Sequence, residues 1–186
     1  MNHLITDEEL MNGYAMGDSE VFSILFERYK KKTYSFLSRR IGSSHYHDVD
    51  DLFQISWLKV HKYRKNYSPD RKFSTWLFGI MINVIRDYFR QVRWKYETSF
   101  YSESEQASSA NSQNMENEIL NKDILKKLEE HLDRLSESQK EVVLLSDWEG
   151  FSSKEISKML GLADGAVRQL LFRARQGLRA QLKEMP

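Results

Sequence analysis

Apolar side chains along this chain recur mostly at spacings of three and four, the period of a helix buried on one side. Val21, Phe22, Leu25, Phe26 and Tyr29 keep that spacing behind Asp18, a suitable N-cap, and predict a helix from Asp18 to Ile41. Val49, Leu52, Phe53, Trp57 and Val60 repeat it behind Asp48 and stop near Asn66, Ser68 and Pro69, where turn-forming residues collect. Leu77, Met81, Val84, Ile85 and Tyr88 mark a third helix, apolar nearly all round at its start and basic at its end through Arg86, Arg90, Arg93 and Lys95. Thr6 and Glu9 stand at capping-box spacing and predict a shorter leading helix.

The same period returns after a gap. Leu120, Ile124, Leu128, Leu132 and Leu135 keep a four-then-three spacing, and capping boxes at Ser136/Gln139 and Ser152/Glu155 place helix starts near residues 137 and 153. Gly161 suits the C′ position ending the second of these. Asp164 is read as the N-cap of a last helix, with Val167, Leu170, Leu171, Ala174, Leu178 and Leu182 on its apolar side. Arg168, Gln169, Arg173, Arg175, Arg179 and Lys183 line its polar side, and from Gly165 to Lys183 there are five positive charges and no negative one. A short helix, a glycine turn and a long basic helix make a helix-turn-helix whose second helix is sized for the DNA major groove.

Charge changes this picture by dividing the chain. The 186 residues carry a net charge of only +1, which excludes a uniformly basic nucleic-acid coat and makes any such surface local. From Leu58 to Lys72, six basic residues face Asp70 alone, a local net of +5. Tyr96 to Glu118 is its opposite, with five glutamates, no Lys or Arg, and much Ser, Asn and Gln. It has too little apolar surface to offset the entropy of folding, and reads as a disordered or extended acidic linker. The expected organisation is therefore all-α, with helical domains at 1–95 and 119–186 joined by the linker at 96–118.

Other classes lose ground for chemical reasons. The chain has no cysteine, so disulfides, thiolate metal sites and a Cys nucleophile are excluded, which suits a reducing compartment. The N-terminus is acidic where a signal peptide is basic, so a cytoplasmic location without membrane insertion is expected. The most apolar window, Phe73 to Ile85, is 13 residues long, short of the roughly 20 that span a bilayer. His45, His47, Asp48, Asp50 and Asp51 crowd together but do not converge as metal ligands. No phosphate loop, ligand-spaced metal triad or Ser/His/Asp arrangement stands elsewhere, so neither catalysis nor a cofactor is expected. Phe73, Trp76 and Phe78 stay open between a core stripe and a stacking surface for bases.

Two runs of residues resemble one family. Asp50-Asp51-Leu52-Phe53-Gln54-Ile55-Ser56-Trp57-Leu58-Lys59-Val60, Phe73-Ser74-Thr75-Trp76-Leu77 and Asn83-Val84-Ile85-Arg86-Asp87-Tyr88-Phe89-Arg90 resemble the second domain of extracytoplasmic-function sigma factors. Leu135-Ser136-Glu137-Ser138-Gln139-Lys140-Glu141-Val142, Gly150-Phe151-Ser152, Glu155-Ile156-Ser157, Leu160-Gly161 and Arg173-Ala174-Arg175 resemble their fourth domain. The resemblance implies partners: RNA polymerase core, promoter DNA and an anti-sigma factor. It implies that Asp51, Leu52, Gln54, Leu58 and Lys59 dock on the clamp coiled coil of the polymerase. It implies that Tyr67, Phe73, Trp76, Asn83, Arg86, Arg90 and Arg93 recognise and melt the −10 element, with Asn83 near a flipped base. Those residue types supply the aromatic surface, polar pocket and cations that strand separation needs.

For the −35 element the implied set is Ser152, Lys154, Arg168, Gln169, Phe172, Arg173, Arg175 and Arg179. Of these, Arg168, Gln169, Phe172 and Arg173 are placed at base edges, and Arg175 and Arg179 on phosphates. Ile55, Ala166 and Leu170 depart from the family pattern, which has an acid, Thr and a basic residue there. The rival reading is a free-standing helix-turn-helix regulator with a helical partner-binding domain, distinguished by whether promoter binding needs core polymerase.

Overall fold

The computed structural model describes residues 5–99 and 130–183, and among these every regular element is helical. The first unit holds α1 (Asp7–Met16), α2 (Glu20–Ile41), α3 (Val49–Tyr63) and α4 (Phe73–Ser99). The second holds α5 (Glu137–Val143), α6 (Ser153–Leu160) and α7 (Asp164–Lys183).

Local capping boxes set the starts of α1, α5 and α6 where the sequence placed them. In α1, Glu9 N–H donates to Thr6 Oγ1 at 3.2 Å and Thr6 N–H returns to the Glu9 carboxylate at 2.8 Å. In α2 the start differs from expectation: Ser19, without a side-chain cap bond, is the N-cap, and Asp18 one position earlier accepts the Glu20 amide on its carboxylate at 3.0 Å. Asp48 precedes α3 without a side-chain cap bond. Both later capping boxes close as well, with Gln139 N–H on Ser136 and Glu155 N–H on Ser152, each at 3.3 Å. Gly161, at φ 68°, takes the left-handed conformation that ends α6 and aims the chain into α7. Asp164 differs from expectation. It lies inside the first turn of α7, while the Ala163 carbonyl accepts from Ala166 and Val167 at 2.9 and 3.1 Å. There its charge favours the helix N-terminus and pairs with Arg168 at 3.0 Å.

The start of α4 also differs. Sequence spacing placed it at Leu77, but the helix opens at Phe73, whose amide donates to the Glu8 carboxylate at 2.8 Å. A residue of α1 thus satisfies an orphan donor of α4 across 65 positions. At its other end α4 runs to Ser99, so 96–99 of the expected linker are helical. The rest of that segment, with Leu120, Ile124 and Leu128, lies outside the described residues.

The core of the first unit is Leu10, Met11, Leu25, Phe36, Leu37, Val60, Leu77, Phe78 and Met81, all fully buried or nearly so. An aromatic chain of Phe22, Phe26 and Trp57 fastens α2 to α3, with Phe26 edge-on to Trp57 at 5.0 Å. Leu132, Val142, Val143, Ile156, Val167 and Ala174 fill the second core. The two units meet where α6 lies against α4. Phe78 packs edge-on to Phe151 at 5.1 Å, and Lys32 lies over both rings. Among the described residues no helix is long and apolar enough to cross a membrane.

Candidate nucleic-acid and polymerase interfaces

Three surfaces hold the exposed members of the expected sets. On α3, Asp51, Gln54, Ile55 and Leu58 follow i, i+3, i+4, i+7 spacing and are exposed together, Leu58 at 66%. An exposed Leu and Ile between a carboxylate and an amide form a stripe suited to another helix. Two residues expected on this face are turned elsewhere. Leu52 is buried and holds α3 on the core, because as the neighbour of Asp51 it sits about 100° round the helix from the stripe. Lys59 is half-buried and pairs with Asp87 of α4 at 3.2 Å, tying the two helices together.

The second surface lies on α4 and the loop before it. Asn83, Arg86, Arg90 and Arg93 are exposed along one side of the helix. Of the aromatics expected to take unstacked bases, Phe73 is fully buried and Tyr67 nearly so, which corrects that assignment. Phe73 stands edge-on to Tyr29 at 5.2 Å, and the Tyr67 hydroxyl donates to the Arg71 carbonyl at 2.6 Å. Burial, with Glu8 and Asp7 adding to it, pushes the Tyr67 phenol up to about 12, so it remains a donor. These two rings shape the loop from within. Trp76, packed on Tyr67 at 5.3 Å, is the one of the three that reaches the surface.

Beside Asn83 a cavity of about 300 Å³ opens, lined by Lys59, Tyr63, Asn66, Trp76, Ile80 and Asn83. It offers two rings, an amide pair and a cation within a volume that admits a nucleobase. Tyr63 and Asn66 were not foreseen. Their only sequence signal is that they lie inside the basic run, where α3 gives way to the loop.

Three cations on or beside this surface have carboxylate partners. Arg90 pairs with Asp87 at 2.9 Å, Arg86 lies 3.3 Å from Glu141, and Lys72 lies 2.8 Å from Glu155. The Lys72 ammonium, then the Ser152 hydroxyl and amide, hold the Glu155 carboxyl down to about 2.

The third surface is the outer side of α7. Arg168, Gln169, Phe172, Arg173 and Arg179 are exposed there, Phe172 at 67%. Lys154 is exposed on α6, and Ser152 is spent on its cap. Arg175, expected on phosphate, instead donates from its guanidinium to the Asp147 carboxylate and Ser146, anchoring α7 to the turn that follows α5. Gln176 joins Arg168, Phe172 and Arg179 along a concave strip, a position the charge pattern did not single out.

Known proteins are similar to this chain in sequence and fold. The family model "Sigma-70 region 2" matches residues 25–95 and "Sigma-70, region 4" matches 125–178, together about two thirds of the chain. The ECF RNA polymerase sigma-E factor of Salmonella typhimurium (strain LT2) is 27% identical over 184 residues, covering 96% of this chain and 95% of the relative. That of Haemophilus influenzae is 25% identical over 191 residues and covers both chains fully. Among solved structures, CnrH in complex with the cytosolic domain of CnrY is similar with a TM-score of 0.72 at 26% identity. It covers 97% of this chain and 99% of that one. The sigma factor RpoE, in complex with the anti-sigma factor NepR from Bartonella quintana, shares the fold at TM-score 0.70 and 21% identity, over 89% and 98% of the chains. With both region models in order on one chain, and relatives matching end to end, the chain belongs to the extracytoplasmic-function RNA polymerase sigma factors.

Proposed function

We propose that this sigma factor docks on core polymerase through the Asp51, Gln54, Ile55, Leu58 stripe of α3. It then captures a −10 base in the cavity at Asn83 and reads the −35 element with α7. The observation that carries this reading is that the exposed apolar strip, the exposed cations and the exposed basic face lie on three different helices, α3, α4 and α7. A docking helix, a melting helix and a reading helix can therefore act on different partners.

Melting needs no bond made or broken in DNA. Binding energy from the flipped base and from backbone phosphates offsets the few kcal/mol of unstacking. Trp76 supplies stacking surface, Asn83 a hydrogen-bonding edge, and Arg86, Arg90 and Arg93 supply phosphate charge. The factor works in the cytoplasm, where polymerase works, and a protein that covers α3 or α4 serves as its anti-sigma partner.

Run-off transcription with purified core on duplex and pre-melted bubble promoters tests the assignment. Gln54→Ala with Leu58→Ala should weaken core binding. Asn83→Ala should leave core binding intact, slow opening of duplex promoters, and recover on the bubble template. Loss of core binding in Asn83→Ala would make that residue a packing group and remove it from the melting site.

A further inference from the structure

The cavity beside Asn83 has walls of two origins. Lys59, Tyr63 and Asn66 come from the end of α3 and the turn after it, while Trp76, Ile80 and Asn83 come from α4. Helix α1 is fastened to both elements, one with each of its ends. In its first turn the Glu8 carboxylate accepts the Phe73 amide at 2.8 Å, three residues before Trp76. Beside it Asp7 accepts the Tyr29 hydroxyl at 2.6 Å and pairs with Arg28 at 2.6 Å, and Tyr29 stands edge-on to Phe73. In its last turn the Tyr14 hydroxyl shares a hydrogen bond with Nδ1 of His61, two residues before Tyr63, and the Arg64 guanidinium lies over the Tyr14 ring at 5.8 Å. Tyr14 is buried and stacked on Phe22 at 4.6 Å, so its ring is held in place.

We propose that α1 is a brace that sets the width of the base cavity, with Glu8 and Tyr14 as positioning residues that touch no nucleotide. The proposal rests on the capture of a −10 base at Asn83. Six residues of helix, about 9 Å, separate the two attachments, and a hydrogen-bonded helix of that length keeps its length. A base between Tyr63 and Trp76 gains most when both rings meet it at contact distance. A gap of 0.5–1 Å already forfeits about a quarter to a half of that attraction. The brace therefore acts on the captured base, while the α3 stripe and the outer side of α7 keep their own partners.

Holoenzyme assembled from the full-length factor and purified core tests this on a labelled single strand carrying the −10 element, with an abasic site walked through the element. The position where base removal costs most affinity marks the captured base, and the ratio of intact to abasic affinity there reports capture alone. In the parent that ratio should be about tenfold or more, as for one base stacked on aromatic surface. Glu8→Ala should lower it by about threefold, near the worth of one net hydrogen bond, with core affinity unchanged. Glu8→Gln keeps the acceptor oxygen and should restore the ratio. Tyr14→Phe keeps the ring on Phe22, loses the hydroxyl and should lower the ratio as well.

Ile41→Val, which trims a buried side chain at the far end of α2, is the control. Destabilisation alone removes active protein, lowers both apparent affinities together and leaves their ratio at the parent's value. That outcome in Glu8→Ala makes Glu8 a stability group and overturns the brace. Should Glu8→Ala fail to fold, Tyr14→Phe, which lacks a single oxygen, is read in the same way. Asn83→Ala separates the brace from the reading it rests on. If it leaves the ratio untouched, the base is captured elsewhere and the brace falls with the −10 assignment. If it collapses the ratio while Glu8→Ala and Tyr14→Phe do not lower it, the cavity stands without the brace.

Discussion

Phe73 and Trp76 lie one turn apart at the start of α4, and burial assigns them opposite duties. Phe73 is fully enclosed, so Phe73→Ala should cost about 3–5 kcal/mol of stability, measured by denaturant unfolding. Trp76→Ala should cost clearly less, with its main effect a slower opening of duplex promoters at unchanged core affinity. Sequence spacing could not separate the two, since both fit an apolar stripe and only the packing of Tyr29 and Tyr67 around them decides. Glu155 and Glu149 make a second contrast. Glu155 is held near 2 against an ordinary 4.5, so it contributes stability above about pH 4.5 that disappears as pH falls towards 2. Glu155→Gln should lower the melting midpoint at neutral pH by about 2–4 °C per kcal/mol lost, with the difference closing below pH 4.5. Burial raises Glu149 against the pull of Lys32 and Arg39. Its folded form binds a proton more readily than the unfolded chain, so ionised Glu149 costs stability and Glu149→Gln should leave the neutral-pH midpoint level or higher.

Helix starts were legible wherever their caps were local. Thr6, Ser136 and Ser152 each serve an amide three residues on, within the reach of a sequence pattern, and Ser152→Ala should cost about 1 kcal/mol of second-unit stability. The start of α4 was not legible, because its cap is Glu8, brought there by the packing of α1. The same limit applies to side-chain duty along a helix. The basic side of α7 was plain from spacing, but Arg175 is drawn to Asp147 by the fold, while Arg168 and Arg179 remain on the surface. Arg168→Ala should therefore relax preference at one −35 base pair by about 1–3 kcal/mol in a selection on randomised sites. Arg179→Ala should weaken all sites alike and flatten the salt dependence of binding.

At the scale of the molecule, a net charge of +1 conceals two units of complementary faces, and no count along the chain could show that these faces meet. The acidic run from Tyr96 to Glu118 is a third charge block, and its placement beyond Ser99 falls outside the described residues. Replacing Glu97, Glu103, Glu105, Glu116 and Glu118 by Gln should weaken holoenzyme formation more at low salt than at high salt if the run meets a basic polymerase channel. Equal affinity across a salt titration would leave it a tether. The carboxylate of Glu8 links the leading helix to this larger behaviour. Because it closes the first amide of α4, deuterium reaches the Phe73 N–H only when α1 lifts away, and the exchange rate of that one amide becomes a clock for the leading helix. A protease that clips the chain between α1 and α2 would remove no residue assigned to DNA or polymerase, yet it would start that clock and loosen the base-capturing end of α4.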